Sequence, residues 1–186
     1  VISNEWGAAE LVSDSDQFSY CPVMGLELHG ELFTYDTGTS ESISEDGEPV
    51  DGISSDDLMW AINDADQNSE VSAIVLEIDS YGGSPVAGEE VAAAIKKATK
   101  PVVAVIRNIG ASAAYWAATG ADYIVASANS DVGAIGATSS YLESAQKNNK
   151  DGLTYVDLRS APYKDMGDPD RALSPAEKVL WQRDLD

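Results

Sequence analysis

Apolar and polar positions change period several times along the chain, and each change marks an element. In "PVMGLELHGEL" (22–32) they alternate, which predicts a first strand with His29 near its end. Residues 35–57 lose that alternation, hold no Lys or Arg and are rich in Ser, Gly and acids, so an acidic loop is expected there. A helix should follow: Leu58, Ile62 and Ala65 share a face, Ser54 or Ser55 can cap it, and Asp56 and Asp57 suit its positive end. "VSAIVLEID" (71–79) is dense enough in aliphatics for a strand covered on both faces, and "SYGGSP" should break it. Helical spacing returns from Pro85 to Ala98, with Ser84 as cap and Pro85 at the first helical position. "PVVAVIR" (101–107) reads as the next strand, "ASAAYWAAT" as a helix and "DYIVAS" (122–127) as another strand. "YVDLRS" (155–160) reads as a late strand. A last helix opens with Ser174 as cap, Pro175 first and Glu177 completing a capping box, and is expected to run on past Asp186.

The alternation of strands and helices predicts an α/β fold with right-handed crossovers. Length adds one expectation, a single domain over 22–186 behind a polar N-terminal arm of residues 1–21. Charge adds more. The chain carries a net charge of −21, and its first Lys or Arg is Lys96. Such a surface repels phosphate backbones and anionic headgroups, so nucleic-acid binding is not expected and solubility explains the acids. With one Cys (Cys21) and one His, neither an internal disulfide nor an ordinary Cys/His zinc site can form. No segment is apolar enough over membrane length to span a bilayer, and the chain begins at Val1, as a stretch downstream of an anchor would.

Two stretches could carry chemistry. "DSYGGSP" ends a strand, where open α/β sheets tend to bind ligands, and its glycines let backbone N–H groups approach an oxyanion. A tight strand-to-helix turn needs the same glycines. Ser112, in "RNIGASAAYW", stands where a strand meets a helix among small residues; it could be a nucleophile or an N-cap. A serine nucleophile needs a base. His29 sits on the first strand in surroundings that favour no such role. Lys96, Lys97 and Lys100 suit a helix C-terminus, Lys147 and Lys150 a polar turn, and Lys178 the last helix. Lys164, in "SAPYKDMGDP", has no evident structural task; it could be a base or a solvated loop lysine paired with Asp165.

Three collinear segments, "LEIDSYGGSPVAGEEVAAAI", "GASAAYWAATGADYIVASANSDVGAIG" and "RSAPYKDMGDPDRALSPAEK", resemble the signal peptide peptidase A (SppA) family of serine proteases. The resemblance covers about residues 22–186. It implies a ClpP/crotonase-like fold: repeated β-β-α units with a largely parallel sheet and crossover helices. By position, Ser112 matches the family's nucleophile and Lys164 its general base. The backbone N–H groups of Gly83 and Ala113 match its oxyanion hole, with Gly82 shaping the turn. Nucleophile and base are 52 residues apart, so only the fold could join them. Four positions depart from the pattern. Tyr81 stands for a usual Pro, and Ala113-Ala114 for a frequent Gly-Gly. Ala134 stands for a Ser that bonds the lysine, which leaves Ser130, Thr138 and Ser139 as possible orienting groups.

The resemblance implies acyl-enzyme cleavage of signal peptide remnants or other hydrophobic or unfolded peptides, without metal or cofactor. It further implies a homo-oligomer, held at a membrane by an anchor outside the given sequence, with its catalytic domain extracytoplasmic. A phage-type capsid maturation protease of the same fold is an alternative, as is a catalytically weak assembly or binding member. A crotonase-type acyl-CoA enzyme could use the same glycines but leaves Lys164 unexplained.

Overall fold

In the computed structural model the described residues are 22–35, 42–43 and 49–186. The expected arm (1–21), Cys21, and residues 36–41 and 44–48 of the expected acidic loop lie outside them. The chain divides into two compact units, one ending at Asp131 and the other running from Val132 to Asp186.

The first unit is built on strands β1 (Val23–Phe33), β4 (Gly52–Ser54), β5 (Ala73–Gly83), β6 (Val102–Ala111) and β7 (Tyr123–Ala126). All neighbours are parallel, in the order β4-β1-β5-β6-β7. Two-residue strands β2 (Ser42–Ile43) and β3 (Pro49–Val50) pair antiparallel apart from this sheet. Helices α1 (Ser55–Gln67), α2 (Pro85–Lys97) and α3 (Ser112–Ala118) make the crossovers. Leu26, Leu28 and Leu32 of β1 and Ile74, Leu76 and Ile78 of β5 alternate into a core shared with Leu58, Ile62, Val91 and Ile95 of the helices. Each such side chain, once fully buried, contributes roughly 1.5–3 kcal/mol.

Caps behave as their chemistry dictates. Ser54, not Ser55, caps α1 and accepts from Asp57 N, and Ser84 caps α2 ahead of Pro85. Lys100 Nζ donates to Ala65 O at 2.6 Å and to Asn68 O, closing the end of α1. The expected loop 35–57 is overturned at its far end. Gly52–Ser54 pairs with the last residues of β1, and α1 starts at Ser55. Gly52 makes this possible, because a side chain there would strike the Phe33 ring. Only one face of β5 is fully buried. Ala73, Val75, Glu77 and Asp79 are half-buried, where aliphatic density predicts two covered faces.

The second unit holds short helix α4 (Ala145–Lys150) and terminal helix α5 (Pro175–Leu185), with strand β8 (Asp131–Gly133) at the junction. The expected capping box of Ser174 and Glu177 is present. Tyr141 and Trp181 rings stack at 5.3 Å, and Gly167 lies against Trp181. The expected strand at 155–160 does not form. Val156 and Leu158 are 73% and 95% exposed, and among the described residues no strand pairs with their backbone.

Candidate active site

Strands β5 and β6 both outrun their predicted ends, and that excess builds the site. Expected to stop at Asp79, β5 continues through the glycines to Gly83; β6, expected to stop at Arg107, continues to Ala111. Register slips once between β1 and β5, at His29/Glu31, and once between β5 and β6, at Ile78/Ser80. Bulges of this kind bend a strand and re-aim the residues beyond them. Asp79 Oδ1 accepts from Ile109 N at 3.2 Å and holds the lifted end of β6.

Ser112 is the first residue of α3 and sits at φ 50, one of three described non-glycine residues with positive φ. For an L-residue this conformation costs about 1–2 kcal/mol. It makes the strand turn sharply into the helix and puts a half-exposed hydroxyl at the corner. The capping alternative fails on geometry: the N-cap is Ala111, and no side chain caps α3. Ala113, Ala114, Ala117 and Ala118 are buried, and their size lets α2 approach closely. A Cβ on Gly88 would lie 2.7 Å from Ala113 O.

Gly82 (φ 103) packs against this corner. A Cβ there would lie 2.8 Å from Ala111 O, 2.8 Å from Ala113 N and 3.0 Å from the Ser112 Cβ. Its own N–H donates to Ser80 Oγ at 3.0 Å, leaving Gly82 to shape the turn. Gly83 follows at φ 152 beside Leu32. Thus Gly82, Gly83, Ser112 and Ala113 gather at the C-terminal ends of two adjacent strands. Tyr81 projects into solvent beside them, 78% exposed.

His29 is engaged elsewhere. Its Nε2 lies 3.3 Å from Glu77 Oε1, and Arg107 Nη1 reaches both Glu77 oxygens at 3.0 Å. These side chains occupy the sheet face opposite the buried leucines. Ser130 is also occupied: its hydroxyl donates to Arg107 O at 2.6 Å and accepts from Ser127 N at 3.0 Å, closing a turn onto β6.

Lys164, Thr138 and Ser139 belong to the second unit and are exposed. Lys164 lies in the turn over 161–167, after Tyr163 at φ 66. A charge network fixes the surroundings of that turn. Asp165 accepts from Arg171 Nε at 2.8 Å and from Arg159 Nη1 at 2.5 Å, and Arg171 also bonds both oxygens of Glu177. The Arg171 guanidinium therefore holds the Asp165 carboxyl below the usual carboxylate range and draws Glu177 down to about 2. Arg171 is raised in turn by Glu177 and Asp165. The carboxylate next to Lys164 is thus committed to two arginines rather than to the lysine. An open cavity of about 440 Å³ beside the turn is lined by Arg159, Ser160, Pro162, Tyr163 and Ser174.

Residues 94–186, half of the chain, match Peptidase family S49. The chain belongs to this family. The S49 chain is 33% identical to Protease 4 of Salmonella typhi over 145 residues, 76% of this chain and 23% of that protein. It is 28% identical to the chloroplastic serine protease SPPA of Arabidopsis thaliana over 138 residues, 73% of this chain and 20% of that one. These relatives bear out the SppA resemblance. The S49 chain spans less than half the length of the curated relatives it matches. A solved structure of a membrane-bound stomatin-specific protease is similar at a TM-score of 0.50 and 19% identity, over 68% of this chain and 53% of that one. That likeness is one of fold, the expected ClpP/crotonase-like arrangement of parallel strands and crossover helices.

Sequence reasoning passed over Ser80, Gly30, Arg171 and the second role of Glu177. A glycine inside the first strand, in "LHGEL", was the available signal for a bulge. The network through Arg171 joins positions whose pairing no local pattern announces.

Proposed function

We propose that this S49 chain is the catalytic part of a serine endopeptidase using Ser112 as nucleophile and Lys164 as general base. The observation that carries the reading is the Ser112 corner: an uncapped, left-handed serine at a strand-to-helix turn with a glycine turn packed against it. In this reading Lys164, in its neutral form, takes the Ser112 proton as Oγ attacks the scissile carbonyl carbon. The resulting oxyanion is received by the N–H groups of Ala113 and Gly83, each donor of this kind being worth about 10²–10³ in rate. The lysine then protonates the leaving amine, and water hydrolyses the acyl-enzyme by the same route. Ser130, through the lone pair its own bonds leave, Thr138 and Ser139 are the partners that could orient the lysine, in place of the hydroxyl that Ala134 lacks.

Substrates on this reading are signal peptide remnants or other hydrophobic or unfolded segments, cleaved by a homo-oligomer. Among the described residues no helix is long and apolar enough to cross a membrane. An anchor outside the given sequence would hold the catalytic domain on the extracytoplasmic side.

The test is labelling with a fluorophosphonate probe, together with turnover of a denatured protein, for the parent, Ser112→Ala and Lys164→Ala. We expect labelling of the parent at Ser112, none in Ser112→Ala, and turnover lost in both variants. A parent labelled no more than Ser112→Ala would refute the nucleophile, and a fully active Lys164→Ala would refute the base.

A further inference from the structure

We propose that Ser80 is a positioning residue for the oxyanion-binding turn, acting through Gly82; the inference rests on the catalytic reading above. Ser80 is 1% exposed, although it lies in the strand end that borders the Ser112 corner. A buried hydroxyl must satisfy its donor and its acceptor capacity, and Ser80 does both across the sheet. Its Oγ–H donates to Gly30 O at 2.5 Å, and its Oγ accepts from Gly82 N at 3.0 Å.

Both partners are irregular backbone. Gly30 is at φ 71, inside the register slip between β1 and β5, and has no partner in the register of β1 with either neighbour. Gly82 is at φ 103, and its α-carbon faces Ala113 N and the Ser112 Cβ. Ser80 therefore ties a bulge in one strand to the turn that sets the orientation of the peptide entering Gly83. The N–H of Gly83 is the donor proposed for the oxyanion. Rotation of the Gly82–Gly83 segment would move that donor without moving Ser112.

Glycine has no side chain to resist such rotation and adopts either sign of φ at little cost. The hydroxyl of Ser80 supplies the resistance. Ser80 does not reach the reacting atoms, so its loss should act on the turnover step more than on substrate binding.

The experiment compares Ser80→Ala, Ser80→Thr and Ser80→Cys in the full given chain. Turnover of a denatured protein is read alongside residue-resolved amide hydrogen exchange. For Ser80→Ala we expect kcat to fall about tenfold or more with KM changed by less than about threefold. Exchange at Gly82 should accelerate about tenfold or more while Ile78, in the same strand, stays as slow as in the parent. Ser80→Thr keeps the hydroxyl and should restore both readings. If its extra methyl prevents folding, Ser80→Cys keeps the volume with a weaker acceptor and should fall between parent and Ser80→Ala. Parental kcat in Ser80→Ala, or equal acceleration at Gly82 and Ile78, would overturn the proposal; the second result marks a serine that merely supports the strand. Absence of Ser112 labelling in the parent would instead overturn the catalytic reading, and the exchange data would still decide whether Ser80 holds the turn.

Discussion

Replacing Gly82 by alanine tests how closely the glycine turn and the Ser112 corner are fitted. Two costs add. A non-glycine residue at φ 103 is in a sparsely populated region, worth about 1–3 kcal/mol. The new Cβ would also sit 2.8 Å from Ala111 O and from Ala113 N. Both are backbone atoms, so relief requires a shift of the turn itself, an overpacking cost of about 1–3 kcal/mol. Together they predict a loss of about 2–6 kcal/mol. At about 2–4 °C per kcal/mol for a chain of this size, the melting temperature should fall by about 4–24 °C. The assay is thermal unfolding followed by circular dichroism, run beside fluorophosphonate labelling at a temperature where the variant is folded. Gly152→Ala is the control, since Gly152 has φ 73 but nothing within 4 Å of the new Cβ. It should lose only the conformational term, about 1–2 kcal/mol. A Gly82→Ala protein that melts within about 2 °C of the parent and labels at the parental rate would show that the two segments do not meet as described.

Ser112→Gly should be more stable than Ser112→Ala by about 0.5–1 kcal/mol in urea titration, because glycine relieves the left-handed strain that alanine retains; equal midpoints would contradict φ 50. Leu28→Ala, at a fully buried β1 position facing the helices, should cost about 2–5 kcal/mol by the same titration. The Glu177 carboxyl, ordinarily near 4.5 but drawn to about 2 by Arg171, contributes stability that is complete above about 4.5 and lost as pH falls towards 2. Acid titration of Trp181 fluorescence, with the other tryptophans replaced by phenylalanine, should show that loss, and Glu177→Gln should flatten it.

The sheet was legible because its strands are aliphatic runs punctuated by capping residues. Ser84-Pro85 and Ser174-Pro175-Ala176-Glu177 announce their helices by local chemistry, and both start where expected. Strand ends were less legible. The continuation of β5 through Gly83 depends on Leu32 lying opposite it and on the Ser80 hydroxyl, neither visible within the segment itself. The same holds for Gly52–Ser54, a strand only because β1 extends far enough to pair with it. "YVDLRS" shows the converse: alternation is necessary for a half-buried strand but creates none without a neighbour. At the site, small residues around Ser112 could be read from the sequence, whereas its left-handed backbone could not. The commitment of Ser130 to Arg107 O and of Asp165 to two arginines likewise depends on tertiary placement.

The parallel register has a consequence for how the chain assembles. Leu76 meets Ala104 and Val105 meets Val125, separations of 28 and 20 residues, whereas Leu28 meets Ile78 across 50. The short closures can form first, giving a β5-α2-β6 nucleus on which β1 docks late. Between β1 and α1 the sequence places six carboxylates (Asp36, Glu41, Glu45, Asp46, Glu48 and Asp51) and no cation, so the stretch that must close for β1 to pair with β5 repels itself. Refolding should therefore quicken as salt screens that repulsion. The charge on one stretch of chain would then govern how fast the sheet closes.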